Sequence, residues 1–415
     1  MEFHVDIGPQ YEGEAVRKED LYMEFGGPKV QYKFELARVK DPDEIEHEKV
    51  EIVGPDISDL AQYDDQKGTG SYPIGILVEV AGADLDTDAE GIIERRVHMF
   101  TNMTEGWYHM NQRQDTWLRM NKECAAKGFN SLRELGEIYN LLYTSEMPII
   151  EKIQTTIITD EEKIKELLPQ AVEIYEARDE RARTLRDEDV DTFYGCVLCQ
   201  SFAPTHVSII TPDRIANCGA INWFDGRAAA KIDPEGPIFE LPKGDLISST
   251  KGEYTGANQV EHERSLKTYE RVYLYSAFEH PHTSCGCFEA IVFYIPEVDG
   301  FGIVHRDFQG ETVIGETFSR MAGETSGGKQ IEGRLGTGLE QLRSPKFIQA
   351  DGGRRRIVWL PKVIKERYKE ALEADGVYDK IPTEEDVKNA DELMEYLDKV
   401  GHPWLTGEVE LPDEN

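Results

Sequence analysis

Runs of apolar residues in the first part of the chain predict a mixture of strands and helices. YPIGILVEVAG (72–82) is a continuous apolar run that ends at glycine, which is typical of a buried strand. Residues 92–143 are predicted to be mainly helical, because LRELGEIYNLLY (132–143) places apolar residues three and four positions apart. IIEKIQTTIIT (149–159) then alternates between apolar and polar residues and predicts another strand.

A highly charged segment follows and separates the chain into two parts. Residues 159–189 open with a helix-capping sequence and predict a charged helix that Pro169 interrupts, since proline removes a backbone donor. We place the domain boundary here. The expected domains are residues 1–185 and residues 186–415.

The second part contains short apolar runs and ends in acidic segments with helical spacing. The predicted strands are HVSIIT (206–211), AIVFYIP (290–296), GFGIVH (300–305) and RRIVWLP (355–361). KVIKERYKEALEADG (362–376) and DVKNADELMEYLDKVG (386–401) predict amphipathic helices. Helices and strands occur in both parts without regular alternation. The predicted fold class is therefore α+β, an irregular α/β arrangement of two mixed domains with a helical C-terminal extension.

The charge of the chain excludes several classes of partner. Its 80 acidic residues against 46 Lys and Arg give a formal net charge of −34. Such a surface repels phosphate backbones and anionic headgroups, so neither nucleic acid nor a membrane is an expected partner. No stretch of 18 apolar residues predicts a transmembrane segment, and the first residues do not resemble a secretory signal. Clustered cysteines at low overall density favour a cytoplasmic protein that binds metal.

Five of the six cysteines lie in the second part of the chain, at spacings that suit a metal site. Cys196 and Cys199 form a C-x-x-C pair, Cys218 follows, and Cys285-Gly286-Cys287 forms a C-G-C motif. Cys124 stands alone and is expected to be a small buried residue. A structural zinc site and an electron-transfer iron–sulfur cluster would each use thiolates of this kind.

The C-G-C motif favours a different metal. Two thiolates separated by one residue can bind one ion only if the intervening backbone comes close to it, and glycine permits that approach. The two thiolates and two backbone amide nitrogens of the motif can then act together as ligands, and these four atoms lie roughly in one plane. Planar coordination that includes nitrogen suits nickel(II) or copper(II) better than zinc.

Four stretches of the second part closely resemble one enzyme family. They are FYGCVLCQSFAPTHV (193–207), RIANCGAINWFD (214–225), TSCGCFEAI (283–291) and KFIQADGGRRRIVWLPK (346–362). They resemble acetyl-CoA synthase, the beta subunit of the carbon monoxide dehydrogenase/acetyl-CoA synthase complex, in its short archaeal form. The resemblance is continuous from about residue 190 to the end and looser from about residue 70.

The resemblance implies a [4Fe-4S] cluster bridged to two nickel ions. Cys196, Cys199 and Cys218 match cluster ligands, and Cys199 also matches the bridge to the nearer nickel. Cys285 and Cys287 match the thiolates shared by both nickel ions. The backbone nitrogens of Gly286 and Cys287 match the remaining ligands of the distal nickel.

Two further positions complete the implied metal centre. Phe202 matches the aromatic residue that shields the proximal nickel, although ordinary core packing explains a phenylalanine equally well. The family's fourth cluster cysteine corresponds to Ser208. A serine hydroxyl has a far higher pKa than a thiol and is a poor substitute for thiolate. Ser208 itself, another ligand or an incomplete cluster are the three alternatives.

The segment GWYHMNQRQDTWLRMNKE (106–123) combines aromatic and cationic residues in an acidic protein. It resembles the family segment implicated in coenzyme A binding, where tryptophan stacks on adenine and arginines meet phosphates. Trp117, Arg119 and Arg113 are the candidates. An amphipathic helix with buried tryptophans explains the same residues.

The resemblance implies an acyltransferase that makes or cleaves acetyl-CoA. Its substrates would be carbon monoxide, a methyl group and coenzyme A, in the anaerobic Wood–Ljungdahl pathway and in methanogenesis. The implied partners are carbon monoxide dehydrogenase subunits and a corrinoid iron–sulfur protein that donates the methyl group. A non-catalytic iron–sulfur or zinc protein, for electron transfer or assembly, is the alternative. GETSGGKQ (323–330) lacks the final Ser or Thr of a phosphate loop and predicts a flexible loop. His280 and His282 are expected to be solvated.

Overall fold

The computed structural model describes residues 19–61, 71–200, 202–284, 286–409 and 411–412. The chain divides between Arg178 and Asp179 into two compact units, here called the N-terminal unit and the C-terminal unit. Both units mix helices with sheets, which confirms the predicted α+β class. Within the described ranges, no helix is both long and apolar enough to cross a membrane.

The N-terminal unit is built on two four-stranded mixed sheets. The strands have the orders β4-β1-β7-β6 and β2-β5-β8-β3. Its elements are β1 (Leu21–Gly26), β2 (Lys33–Val39), β3 (Lys49–Val53), β4 (Ser71–Tyr72), β5 (Ile74–Ala81), α1 (Glu90–Asn102), β6 (Trp107–Met110), β7 (Trp117–Asn121), α2 (Lys122–Ala126), α3 (Leu132–Glu146), β8 (Lys152–Ile158) and α4 (Glu161–Arg183). The strands predicted at 72–82 and 149–159 are confirmed as β5 and β8.

One prediction for this unit is incomplete and another is wrong. Residues 92–143 are mainly helical as predicted, in α1, α2 and α3, but the antiparallel hairpin β6–β7 lies between the helices and was not predicted. Within β7, Leu118 and Met120 are buried while Trp117 and Arg119 are half-buried, an alternation that only a strand produces. Pro169 does not interrupt α4, which continues through it.

Burial on both sides of Pro169 explains the continuity of α4. Ile164, Ala171 and Tyr175 all pack into one apolar cluster with Phe34 and Leu36 of β2. A proline inside a helix costs about 3 kcal/mol. Burial of several large side chains is worth ~1.5–3 kcal/mol each and offsets that cost.

The C-terminal unit contains two main sheets and a short hairpin. Their strand orders are β10-β9-β11, β16-β14-β15-β17 and β12-β13. The elements are β9 (Thr192–Cys196), β10 (Ser208–Ile210), α5 (Trp223–Ile232), β11 (Ile238–Pro242), β12 (Leu246–Ser248), β13 (Glu253–Tyr254), α6 (Thr255–Arg264), β14 (Ala290–Ile295), β15 (Gly300–His305), α7 (Phe318–Thr325), β16 (Arg334–Thr337), β17 (Ile357–Trp359), α8 (Lys362–Arg367), α9 (Lys369–Ala374) and α10 (Ala390–Val400). All four predicted strands and the C-terminal helices are confirmed.

The sheet around β14 and β15 is covered on both faces. Ala290 and Val292 point into a cluster with residues of α8 and α9, whereas Ile291 and Phe293 point into a cluster with residues of α7 and α10. Because both faces are buried, β14 is continuously apolar and its register is strongly specified. This rigid strand begins directly after the C-G-C motif and holds one end of that loop.

Candidate metal centre

Three loops of the C-terminal unit carry the cysteines that the sequence predicts as ligands. The first loop joins β9 to β10 and contains Cys199 and Phe202. The second joins β10 to α5 and contains Cys218, and the third precedes β14 and contains the C-G-C motif. The predicted ligand Cys285 lies outside the described residues.

The first loop starts and ends at residues that face each other. Cys196 and Ser208 are direct partners in the antiparallel pair β9–β10. Opposite residues in such a pair project from the same face with Cβ atoms about 4.5–5.5 Å apart. Within the loop, the backbone N–H groups of Phe202 and Ala203 each donate to the Cys199 carbonyl at 3.0 Å, which turns the chain tightly after Cys199.

Ser208 is buried with no hydrogen-bond partner for its hydroxyl among the described residues. Its exposed fraction is 5%, close to the 6% of Cys196. A buried hydroxyl without a partner costs about 1–3 kcal/mol and requires an explanation. A group bound at the face from which Cys196 and Ser208 project would supply a partner for the Ser208 hydroxyl.

Thr283 connects the loop of Cys199 and the loop of Cys218 to the C-G-C loop. Asn217, next to Cys218, donates from Nδ2 to the Thr283 carbonyl at 3.2 Å, and His206 Nδ1 lies 2.9 Å from Thr283 Oγ1. On the other side of the motif, the Glu289 N–H donates to the Asn217 carbonyl at 3.2 Å. The three loops therefore meet around residues 283–289.

Gly286 has a backbone conformation that favours glycine. Its φ is +106°, and a Cβ atom there would lie 3.0 Å from Cβ of Ser326. Its N–H donates to Ser284 Oγ at 3.1 Å. A role for this nitrogen as a metal ligand would replace that hydrogen bond. A backbone without a side chain at this position agrees with the planar metal site that the C-G-C motif predicts, because that site requires the backbone to approach the ion closely.

Arg306 provides a positive charge on the same loop. Its Nη2 donates to the carbonyls of Gly286 at 2.5 Å and Phe288 at 2.9 Å. A guanidinium beside cysteines favours their thiolate form, which is the form that binds metal. The sequence contains no signal for this contact, because Arg306 comes from the far end of β15.

The glycine-rich segment 323–330 packs against the metal-centre loops. The Gly328 N–H donates to the Ser284 carbonyl at 2.8 Å. The Gly328 carbonyl accepts from Thr205 Oγ1 at 2.9 Å and from Tyr269 at 2.8 Å. The segment thus links the first loop to the C-G-C loop, a role that its near-match to a phosphate loop did not suggest.

Two histidines near the centre are fully buried. His206 and His282 are each 3% exposed. Burial lowers the pKa of His206 to about 4 and the pKa of His282 well below its ordinary value. Both rings are neutral near pH 7. The expectation that His282 is solvated is wrong, whereas His280 is exposed as expected.

These residues fit a metal group held by thiolates. The Ser208 hydroxyl, which has no partner among the residues that the structure describes, faces Cys196, and Gly286 has the left-handed backbone that a close approach requires. Among the described residues, no group of three or more His, Cys, Asp and Glu side chains lies close enough to hold a metal ion. Cys285 lies outside the described residues, and Ser208 is not a His, Cys, Asp or Glu. The individual ligand assignments stay predictions.

The candidate coenzyme A residues fall into two separate places within the N-terminal unit. Trp117 and Arg119 project from the same face of β7, with the Arg119 guanidinium 4.2 Å from the centre of the indole. Arg119 Nε also lies 2.9 Å from Glu24 Oε2. Arg113 is instead buried, 3.6 Å from Glu94 and over the ring of Tyr175. The structure brings Trp117 and Arg119 together and leaves Arg113 apart.

A buried polar network fixes the hairpin that carries Trp117. His109 of β6 contacts Glu35 of β2, and Thr116 donates to the same carboxylate. His98 Nδ1 lies 2.9 Å from His109 Nδ1. The sequence carries no local signal for this network, because burial of these polar residues depends on the packing of α1 against both sheets.

Comparison with known proteins covers almost the whole chain. A family model described as the CO dehydrogenase/acetyl-CoA synthase complex beta subunit matches residues 3–164. A second, which describes the C-terminal part of the ACS/CODH beta subunit, matches residues 175–410. The chain is 54% identical over 399 residues to "Acetyl-CoA decarbonylase/synthase complex subunit beta 2" of Methanocaldococcus jannaschii, covering 96% of this chain and 82% of that protein.

The comparisons also found one further relative and one solved structure. The chain is 52% identical over 411 residues to the subunit beta of the same complex of Methanopyrus kandleri, covering 99% of this chain and 86% of that protein. A solved structure, that of the C-terminal domain of an acetyl-Coenzyme A synthase Alpha subunit, is 42% identical and covers 30% of this chain and 96% of its own, with a TM-score of 0.27.

Proposed function

Because the chain belongs to the beta-subunit family of the CO dehydrogenase/acetyl-CoA synthase complex, we propose that it forms and cleaves acetyl-CoA at a metal centre built from its clustered cysteines. Membership of this family makes the chain an acetyl-CoA synthase enzyme subunit and implies a metal cofactor. The observation that supports the site most strongly is the position of Thr283. Its hydroxyl and carbonyl contact His206 and Asn217, and these contacts hold the loops of Cys199 and Cys218 against the C-G-C loop.

We infer a division of the ligands between iron and nickel. Cys196, Cys199, Cys218 and Ser208 would hold an iron–sulfur cluster, and Cys285-Gly286-Cys287 would hold nickel. When bound, such a group supplies open metal positions for carbon monoxide and a methyl group. With Ser208 as a ligand, one iron atom would be bound by a serine oxygen, in contrast to the iron atoms bound by thiolate.

The side chains around the centre exclude water, and Arg306 supplies a positive charge beside it. Cys196, His206 and Ser208 are almost fully buried, and Phe202 is half-buried on the first loop. A water-excluding site strengthens the electrostatic effect of Arg306 on the neighbouring thiolates. Phe202 is our candidate for the residue that limits access to small molecules such as carbon monoxide.

Coenzyme A binding is the function that we propose for the face of β7. A planar indole can stack on adenine, and a guanidinium can bind phosphate oxygens in pairs. Trp117 and Arg119 are half-buried and adjacent, which supports this role. Arg113 is engaged with Glu94 inside the unit and is the weaker candidate.

The family also implies partner subunits within the complex. We propose carbon monoxide dehydrogenase subunits as the source of carbon monoxide and a corrinoid iron–sulfur protein as the methyl donor. Neither nucleic acid nor a membrane is proposed as a partner, given the net charge of −34. The cytoplasmic location predicted from the cysteine pattern stays a prediction.

Metal analysis of anaerobically purified protein tests the proposal and its alternative together. Nickel and iron, with transfer of acetyl groups to coenzyme A, are the expected result. Iron without nickel would instead indicate an electron-transfer protein, and zinc alone a structural site. Either of these results, without acetyl transfer, would overturn the proposed function.

A further inference from the structure

Residues 326–330, here called the strap, follow α7 and contact the C-G-C loop. Ser326 packs against Gly286, since a Cβ atom on that glycine would lie 3.0 Å from Cβ of Ser326. The Gly328 N–H donates to the Ser284 carbonyl at 2.8 Å. Ser284 is 2% exposed and Gly286 is half-buried. The strap therefore covers the side of Gly286 on which a side chain would project.

Gly328 joins the strap to three other parts of the C-terminal unit. Its carbonyl accepts from Thr205 Oγ1 at 2.9 Å and from Tyr269 Oη at 2.8 Å, and its N–H makes the bond to Ser284. The net free energy of each such bond is small, because water replaces the partner when the bond breaks. Movement of Gly328 alone would break all three bonds at a small cost.

A flexible point lies directly beside this residue. Gly327 and Gly328 have φ of +79° and +76°, in the left-handed region that glycine adopts without strain. Among the described residues, no atom lies within 4 Å of the place where a Cβ atom on Gly327 would be. Gly327 and Lys329 are both exposed. The described part of the chain therefore presents no obstacle to an outward rotation at Gly327.

The observed position of the strap leaves one of its polar groups unsatisfied. Gln330 Nε2 is buried and has no hydrogen-bond partner within the described ranges. A buried amide donor without a partner is unfavourable, whereas water would satisfy it on exposure. Gln330 therefore favours an open position of the strap, in opposition to the three bonds of Gly328.

We propose that the strap is a gate over the metal centre that opens to admit coenzyme A. This inference rests on the proposed function and adds control of access to it. In the closed state Ser326 covers Gly286, whose backbone nitrogen is a candidate metal ligand. Carbon monoxide needs less space than the thiol-bearing arm of coenzyme A. Loops that close over a site in this way exclude water and commit the substrate.

The charge on the strap suits this substrate. Lys329 is exposed on the strap of a chain whose formal net charge is −34. A local cation attracts the phosphate groups of coenzyme A, which the remaining acidic surface repels. The open strap would thus present a positive charge to the substrate that it admits.

Hydrogen–deuterium exchange on the full-length chain tests the opening without relying on activity. The double variant Thr205→Val, Tyr269→Phe removes both donors to the Gly328 carbonyl and nearly keeps the side-chain shapes. Exchange of residues 326–330 and cleavage by trypsin after Lys329 should become about tenfold faster, because the buried carbonyl loses its partners. Equal rates in the double variant and the wild type would overturn the proposal.

Two single variants complete this experiment. Tyr294→Phe removes an exposed hydroxyl hydrogen bond elsewhere in the C-terminal unit and should exchange residues 326–330 as the wild type does. Gly327→Asn should slow the exchange about two- to fivefold, since asparagine tolerates the left-handed region but is less flexible than glycine. Unchanged or faster exchange in Gly327→Asn would overturn a hinge at this residue, even if the double variant fails to fold.

Metal-loaded protein distinguishes a gate from a fixed support of the C-G-C loop. The double variant should keep the nickel content, the electron paramagnetic resonance spectrum and the carbon monoxide binding rate of the wild type. Its second-order rate constant for coenzyme A in acetyl transfer should rise about tenfold, in proportion to the opening. An unchanged rate constant, or an altered spectrum, would overturn the gate. A wild type without nickel would instead overturn the proposed function, and the exchange data would still decide whether the strap opens.

Discussion

Ser208 lies directly opposite Cys196 in the β9–β10 pair, and its buried hydroxyl has no partner within the described part of the chain. The two side chains therefore leave the sheet on the same face, at the start and end of the loop that carries Cys199. The resemblance on which the ligand predictions rest implies a cysteine at the position of Ser208. The backbone of this protein thus presents a hydroxyl where a thiolate is expected.

Replacement of Ser208 should change iron retention. Ser208→Cys adds a stronger iron ligand and should raise the iron bound per chain after anaerobic reconstitution. Ser208→Ala should lower it. Iron analysis and electron paramagnetic resonance measure both effects, and Ser249→Cys adds a thiol at an exposed position as a control. Equal iron content and spectra in all variants would show that Ser208 does not bind the cluster.

Gly286 should tolerate no side chain. Gly286→Ala imposes a left-handed conformation that costs about 1–2 kcal/mol, in addition to the close contact with Ser326. We expect lower stability to denaturant and loss of nickel binding. Gly376→Ala is the matched control, because Gly376 has φ +72° and open space around it. Equal nickel content in both variants would contradict the proposed approach of the backbone to the metal.

Arg306 should stabilise the C-G-C loop through its two carbonyl contacts. Arg306→Met removes charged hydrogen bonds worth about 1.5–3 kcal/mol each and should weaken metal retention against a chelator. Arg306→Lys should restore part of it. Arg320→Met, at an exposed site paired with Glu324 at 3.8 Å, should behave as the wild type. Retention unaffected by loss of Arg306 would exclude this role.

Glu261 should make folding stability decrease as the pH rises. Burial raises its pKa to about 8 in the native state against 4.5 in the unfolded chain, so the native state binds more protons between these values. The free energy of unfolding therefore falls across this window, by on the order of 5 kcal/mol in total. Denaturation of Glu261→Gln should show a smaller decrease than the wild type. Parallel curves for the two proteins would indicate an ordinary carboxyl pKa.

Arg119 and Arg113 should respond differently to substitution. Arg119→Gln should weaken equilibrium binding of coenzyme A about tenfold, since charged hydrogen bonds are worth about 1.5–3 kcal/mol. Arg113→Gln should destabilise the fold, because it leaves Glu94 buried without that partner. Lys127→Gln serves as an exposed control. Unchanged coenzyme A binding by Arg119→Gln would remove this residue from the site.

The central strands were predictable because their signal is local: β14 and β15 are continuous apolar runs. The C-x-x-C and C-G-C spacings also depend only on adjacent residues, and the ligand assignments made from them stay predictions. The hairpin β6–β7 was missed, since its alternation covers few residues and lies between two helices. Pro169 was misjudged because its local effect is offset by burial of Ile164, Ala171 and Tyr175 against a distant strand.

The sequence by itself determined the fold class and the family, and through the family the presence of a metal cofactor in general. These follow from residue types and short spacings that do not depend on long-range contacts. Only the tertiary structure decided that Ser208 faces Cys196, that Arg306 binds the C-G-C loop, and that Glu261 and His282 are buried without partners among the described residues. The burial and charge of a side chain depend on residues far away in the chain, so these properties exist only in the folded protein.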